Sequence, residues 1–281
     1  MIALPRISLV TCSYQQARFL DATMRSVLDQ GYERLEYIVM DGGSLDGSAE
    51  IIRRHADRLA HWESAKDEGQ TDALARGFDR ATGEVMGWLC SDDLLLPGAL
   101  DAVGKFFASH PDVEVVYGDA LWLDEGGRPL RTKKEMGFNR FVLLLDHNYL
   151  PQPSVFWRRS VYERVGGLDR RFDLAMDSDL WERFSRTTQI RHATGYWSAL
   201  RQYPAQKTRA LRPQGRQEDA LIRARWSPLA RSEWIAGALQ PCARAMRIAN
   251  RLTRGCYAAH VPPCLVEALR QYETPAVSIG A

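Results

Sequence analysis

Apolar positions in the first hundred residues follow two alternating rhythms. Mainly apolar runs at Ile7 to Cys12, Leu35 to Met40 and Val85 to Cys90 have the length of strands covered on both faces, as in a parallel sheet. Between the first two, Phe19, Leu20, Met24, Val27 and Leu28 recur at helical spacing over residues 18–30, and Gly31 ends the run. Ile51, Ile52 and Leu59 repeat that spacing from about Ser48 to Arg58. Two strand–helix pairs before residue 60 predict right-handed crossovers in a parallel α/β sheet. A short strand near His61 to Glu63, a helix from Thr71 to Ala81 and a helix from Pro97 to about His110 continue the pattern.

Later positions are more mixed. Val113 to Tyr117 reads as a strand, and Ala120 to Leu123 pairs with Arg128 to Arg131 as a hairpin around Glu125-Gly126-Gly127. A helix at 138–146, a strand from Ser154 to Trp157 and a turn at Gly166-Gly167 follow. A helix from Asp177 to Arg186 aligns Leu180, Trp181 and Phe184, and residues 190–204 carry strand signals. After residue 205 helical patterns dominate, at 216–226, at 230–254 and at 264–273, with breaks expected at Pro228 and Pro241. The expected fold is α/β: a mixed, mainly parallel, Rossmann-like sheet flanked by helices over residues 1–204, then a helical extension, 205–281. The first unit divides into two halves, about 1–98 and about 99–204, and the family resemblance described below implies that the first binds the nucleotide and the second the acceptor.

Composition narrows the class. Of 281 residues, 45% are hydrophobic and 26% charged, ordinary for a globular enzyme-sized chain. There is no apolar run long enough for a spanning helix, and Met1 to Arg6 lacks the pattern of a signal peptide. Cys12, Cys90, Cys242, Cys256 and Cys264 are odd in number and form no Cys-x-x-Cys pair, so a reduced, cytoplasmic compartment is expected. The histidines show no zinc spacing. Residues 1–204 carry 25 Lys and Arg against 30 Asp and Glu, whereas 205–281 carry 12 against 5. That asymmetry directs the tail toward an anionic surface.

Polar groups gather where the strands end: Thr11 with Ser13 and Tyr14, then Asp41, then Asp92 and Asp93. Ligands of open α/β sheets bind outside the carboxyl ends of strands. Two adjacent carboxylates are costly unless a cation or proton sits between them, and such hard donors suit Mg²⁺ or Mn²⁺ on substrate phosphates. Each residue also has a plainer reading. Asp41 could brace the Gly42-Gly43 turn, Asp46 cap the second helix, Gln70 and Asp72 serve a helix start, and Asp177 and Asp179 complement a helix dipole. Trp88, Trp157 and Trp181 suit a core.

The chain resembles the family 2 inverting glycosyltransferases of GT-A fold over about residues 5–205. The likeness rests on Ile7-Ser-Leu-Val-Thr11, Asp41-Gly-Gly-Ser-x-Asp-Gly-Ser48, Gly69-Gln-Thr-Asp-Ala-Leu74, Ser91-Asp-Asp93 and Met176-Asp-Ser-Asp-Leu-Trp181, in that order. It implies that Thr11, Ser13, Tyr14, Asp41, Gln70, Asp72 and Asp92 line a nucleotide, commonly uridine. It implies that Asp93, with Asp92, holds Mg²⁺ or Mn²⁺ on the diphosphate, and that Asp177 is the general base. Gln152-Pro-Ser154 and Gly166-Gly-Leu168 match the acceptor half. The implied reaction moves a sugar from a nucleotide-diphosphate donor to a hydroxyl of a glycan or lipid-linked acceptor, in bacterial envelope glycan assembly. Two positions depart from the pattern: Met176 replaces a Glu before the base, and Arg201-Gln202-Tyr203 replaces Arg-x-His.

Other readings stay open. A nucleotidyltransferase would need a basic phosphate loop, and residues 11–18 supply only Arg18. A degenerate relative would bind nucleotide, or tether partners at a membrane, without turnover. The tail could lie on the inner face of an anionic membrane, or form a helical cap on the catalytic domain. Its basic residues join no nucleic-acid-binding motif.

Overall fold

The computed structural model describes residues 3–257 and 260–273, so the end of the basic extension, 274–281, lies outside the described residues. The chain order begins β1 (Ile7–Ser13), α1 (Ala17–Leu28), β2 (Leu35–Asp41), α2 (Ser48–Arg54) and β3 (His61–Ser64). It continues with α3 (Gln70–Arg80), β4 (Val85–Cys90), β5 (Leu94–Leu95), α4 (Ala99–Ser109), β6 (Val115–Leu123) and β7 (Pro129–Lys133). Next come α5 (Arg140–Leu145), β8 (Val155–Arg158), α6 (Arg159–Arg164), α7 (Met176–Ser185) and β9 (Ile190–Arg201). The extension contains α8 (Lys207–Ala210), α9 (Arg212–Trp226), α10 (Glu233–Thr253) and α11 (Pro263–Leu269).

One sheet joins these strands in the order β3-β2-β1-β4-β8-β6-β9-β5, with β7 on β6. The first four are parallel, as the mainly apolar runs predict, and β8 enters antiparallel between β4 and β6. The register sets Ser13 beside Asp41 and Cys12 beside Cys90, so three chain segments leave the sheet at one edge. On one side of the sheet Trp88 stacks on Trp181 at 5.4 Å, with Trp157 edge-on to both. All three indoles are buried core.

Two local expectations change. The segments read as a strand and a separate hairpin arm form one strand, β6, whose register shifts at Tyr117 and Asp119. Gly118 permits this, because the Trp197 ring lies where its Cβ would be, 2.5 Å away. Pro241 does not break the tail helix: α10 runs through it. The residue four positions earlier is Gly237, and both are exposed, so the carbonyl that loses its partner faces water. The extension packs onto the body. Arg247 pairs with Asp146 at 2.5 Å, Arg251 with Glu135 at 2.9 Å, and Ala243 is buried against Leu144 and Leu145.

Candidate active site

The turn after β4 presents the two aspartates. Thr23 Oγ1, from α1, lies 2.8 Å from the carbonyl oxygens of both Ser91 and Asp93 and anchors that turn. Asp93 is buried, and its Oδ1 accepts the backbone N–H of Arg201 at 2.9 Å. Burial, then the charge of Asp92, holds its carboxyl well above the usual range. Asp92 is half-buried and raised for the same first reason, opposed by a hydrogen bond from Tyr203 and by the charges of Arg201 and Arg18. Cys90 completes a group in which the thiol and both carboxylates have ligand atoms within 4.8 Å of one another. Carboxylates forced toward protonation by burial and mutual repulsion suit a hard divalent cation, so Asp92 and Asp93 fit the ion that the sequence implies.

The end of β9 closes this corner in a way the sequence did not reveal. Arg201 is fully buried: its Nε donates to Asp92 O at 2.9 Å and its Nη1 to Glu125 O at 2.7 Å. Its guanidinium stands 4.5 Å over the Phe19 ring. A fixed positive charge therefore already faces the aspartate pair. Two residues on, Tyr203 donates to Asp92 Oδ2 at 2.8 Å and accepts from Gln16 Nε2 at 3.1 Å. Arg18 pairs with Glu125 at 2.5 Å and lies over the Phe19 and Tyr203 rings, so it is engaged in this wall.

The β1–β2 edge forms a second region. Tyr14 is exposed, and its ring packs against Gly42. A Cβ at Gly42 would stand 3.2 Å from that ring and 2.9 Å from the Asp67 carboxylate, so only glycine fits without displacing one of them. Asp41 is buried and already satisfied: it accepts from Ser44 N at 2.9 Å, Ser44 Oγ at 2.6 Å and Ser64 Oγ at 2.7 Å. Ser13 Oγ is buried and has no hydrogen-bond partner among the described residues. Thr11 lies beneath this surface, fully buried, its hydroxyl 2.9 Å from that of Tyr37.

Gln70 reaches the aspartate corner, donating to Cys90 Sγ at 3.3 Å, while Gln152 donates to Trp88 O at 2.8 Å beside it. Asp72 accepts from Glu68 N at 3.3 Å and pairs with Arg170 at 2.9 Å, contacts that suit a helix-start residue. Asp46 serves two helix starts, accepting from Ser48 N at 3.1 Å and from Ala17 N at 2.8 Å.

Farther along the chain, Asp177 is the second residue of α7. Asn148 Nδ2 donates to its Oδ2 at 2.8 Å, and Ser178 N to its Oδ1 at 2.7 Å. Burial, aided by the charge of Asp219 on α9, pushes the carboxyl up to about 7 despite both donors. Asn148 and Asp219 also line a small polar cavity of about 30 Å³ with Ser178 and Arg223. Asp179 is spent structurally, fully buried on Arg183 at 2.8 Å. Met176 is buried in the core. Lys207 links the start of α3 to the segment before α7: its Nζ lies 3.3 Å from Gln70 Oε1 and 2.7 Å from Asp173 Oδ2. Arg201, Asn148, Asp219 and Lys207 were missed by the sequence reading, and only the Arg-x-His slot could have signalled the first.

The profile described as "Glycosyl transferase family 2" matches residues 8–166. A "PGL/p-HBAD biosynthesis glycosyltransferase" of Mycobacterium bovis is 29% identical over 184 residues, 63% of this chain and 69% of that protein. Among solved structures, S. aureus TarS 1–349 in complex with UDP-GlcNAc superposes with a TM-score of 0.63 at 14% identity, over 79% of this chain and 67% of that one. The mannosyltransferase PcManGT from Pyrobaculum calidifontis, in complex with GDP-Man and Mn²⁺, superposes with a TM-score of 0.61 at 19% identity, over 95% of this chain and 79% of that one. The curled, largely parallel sheet with its helical C-terminal region is the GT-A fold.

Proposed function

Because the chain belongs to glycosyltransferase family 2, we propose that it transfers a sugar, with inversion, from a nucleotide-diphosphate sugar to an acceptor hydroxyl. The observation that carries this reading is the setting of Asp177. A carboxylate that titrates near 7 and is aimed by Asn148 is matched to taking a proton from a hydroxyl near neutral pH. The acceptor oxygen then attacks the anomeric carbon from the face opposite the diphosphate. The departing diphosphate needs no proton, so one carboxylate suffices, unlike the pair used in glycoside hydrolysis.

Asp93 and Asp92 would hold Mg²⁺ or Mn²⁺, which supplies Lewis-acid compensation for the leaving diphosphate. Tyr14 and Gly42 would receive the base, and Asp41 would exchange one of its serine partners for it. Ser13 would turn its free hydroxyl to the nucleotide, Thr11 would support that floor, and Gln70 would reach the diphosphate side. Asp72 would act only by setting the start of α3. A UDP-sugar is the donor proposed first. The partner structures named above, which hold UDP-GlcNAc and GDP-Man, support the donor class.

A role in envelope glycan assembly on a glycan or lipid-linked acceptor is the setting proposed, supported by the likeness to the PGL/p-HBAD biosynthesis glycosyltransferase of Mycobacterium bovis. Among the described residues no helix is long and apolar enough to cross a membrane. The location proposed is the cytoplasm, with residues 1–204 as the catalytic domain and 205–281 as a basic extension that could meet the inner face of the cell membrane.

The test is a panel of UDP-, GDP-, CDP- and dTDP-sugars with and without Mn²⁺, scored by diphosphate release and melting shift. A nucleotide at 100 times its dissociation constant adds about 2.7 kcal/mol of stability. One nucleotide class is expected to shift melting and support turnover. Asp177→Asn should keep the shift and lose the turnover; full turnover in that variant removes Asp177 from the mechanism.

A further inference from the structure

The approach to α7 is held by a carboxylate from the extension. Glu218, on α9, is 7% exposed. Its Oε2 accepts three consecutive backbone N–H groups: Asp173 at 3.1 Å, Leu174 at 2.8 Å and Ala175 at 2.9 Å. Gln214 Nε2, one turn earlier on α9, donates to its Oε1 at 3.2 Å.

These amides lead directly into α7. Ala175 occupies the N-cap position and has no side chain that could cap, and Met176 and Asp177 follow. Asp177 Oδ1 accepts the Ser178 amide inside the first turn, and the local sequence offers no side-chain acceptor at the N-cap itself. A charge more than forty positions later supplies one, in the place where an anion is favoured by the helix dipole and by charge-assisted hydrogen bonds. The same loop is gripped from its other side by Lys207, whose Nζ donates to Asp173 O at 3.1 Å. Further along α9, Trp226 Nε1 donates to Asp179 Oδ1 at 3.2 Å, a second attachment to α7. Beneath the loop, Thr71 Oγ1 donates to Phe172 O at 2.7 Å. Asp177 stands two residues past the last amide that Glu218 holds, so a shift of the loop is a shift of Asp177.

We propose that Glu218 is a positioning residue: by binding the amides of residues 173–175 it fixes the first turn of α7, and with it the proposed base, against the acceptor. The extension then completes the active site. This rests on the reading of Asp177 as base. A misplacement of about 1 Å in a reacting group can cost on the order of a hundredfold in rate.

The experiment compares the full-length protein with Glu218→Ala, Glu218→Gln and Asp177→Asn. Amide hydrogen exchange over residues 169–182 is measured in each. UDP release from UDP-N-acetylglucosamine, UDP-glucose and UDP-galactose with Mn²⁺ gives kcat and donor KM. In Glu218→Ala, exchange at 173–178 is expected to rise at least tenfold. Its kcat should fall at least tenfold with donor KM unchanged. Glu218→Gln keeps an acceptor oxygen and should restore kcat to within about threefold of wild type. Unchanged exchange at 173–178 in Glu218→Ala overturns the proposal, as does an unchanged kcat despite faster exchange. Wild-type turnover in Asp177→Asn is the distinct signature of a failed base assignment, and the exchange arm still judges the grip of Glu218 on the loop.

Discussion

Tyr203 gives its hydroxyl hydrogen to Asp92 Oδ2 across 2.8 Å, in the slot where the family pattern carries an imidazole. A phenol there acts as a donor to the carboxylate, whereas a neutral imidazole can donate a lone pair to a metal. One oxygen of Asp92 is thus committed to a protein proton, and a bound ion must compete for it. The ring is seated on Phe19, with centroids 5.2 Å apart, which leaves room for a smaller ring in the same place.

Tyr203→His should therefore tighten Mn²⁺. The half-saturating concentration, read from melting temperature against Mn²⁺, is expected to fall about tenfold, the scale on which changes around a metal's ligands act. No change would mean that residue 203 lies outside the metal's reach.

Arg201 is the counter-charge that the aspartate pair already has. Arg201→Met removes the charge while filling most of the space beside Phe19, and leaves the carbonyls of Asp92 and Glu125 without their donors. Losing one side of a buried charged cluster costs roughly 3 kcal/mol or more. The variant should melt well below wild type, and Mn²⁺ should raise its midpoint by more than it raises the wild type's. Equal Mn²⁺ shifts in both proteins would separate Arg201 from the cation site.

What the sequence made legible was local. Apolar runs of strand length ended at Ser13, Asp41 and Cys90, and register then brought those ends to one edge. Asp92 and Asp93 could be placed because a buried strand stops immediately before them. What stayed hidden depends on partners far along the chain. Nothing near Asp41 announces that Ser64 will take its second oxygen, and nothing near α7 announces Glu218. Nothing in the motif around Asp72 announces its pairing with Arg170, which is nearly a hundred positions away. Pro241 misled because a proline's cost depends on whether the orphaned carbonyl can find water, a tertiary fact.

The outer side of α10 makes its own prediction. Trp234, Ile248 and Leu252 are exposed there, while Arg247 and Arg251 pin the opposite side to the body through Asp146 and Glu135. Arg244, one turn before Ile248, is exposed as well. An apolar strip with a cation beside it favours an anionic bilayer surface, with about 1 kcal/mol per basic residue. The protein should sediment with vesicles of phosphatidylcholine and phosphatidylglycerol in a salt-sensitive way, and Trp234→Ser with Leu252→Ser should abolish it without lowering turnover on a water-soluble acceptor. Wild-type protein left in the supernatant would make the helix a cap alone.

Asp177 ties pH to both rate and stability, with opposite signs. Its carboxyl sits near 7 in the fold, above the ordinary carboxylate value, because burial and the charge of Asp219 disfavour ionisation. As the proposed base it would work only when ionised, so kcat should fall about tenfold per pH unit below 7 and level off above. For stability the fold holds the proton more tightly than the unfolded chain does. The native state therefore binds more protons between the two values, and stability falls as pH rises through that window. Because the group is half-buried, solvent screens part of the effect, which is on the order of 1 kcal/mol. Asp177→Asn keeps the shape and the Asn148 contact in one amide orientation but never ionises. It should match wild type in melting temperature at pH 4 and exceed it at pH 8, while losing turnover at both. A variant less stable than wild type at pH 8 would show that the ionised carboxylate is well accommodated, and the origin of its basicity would then have to be sought in the substrate complex.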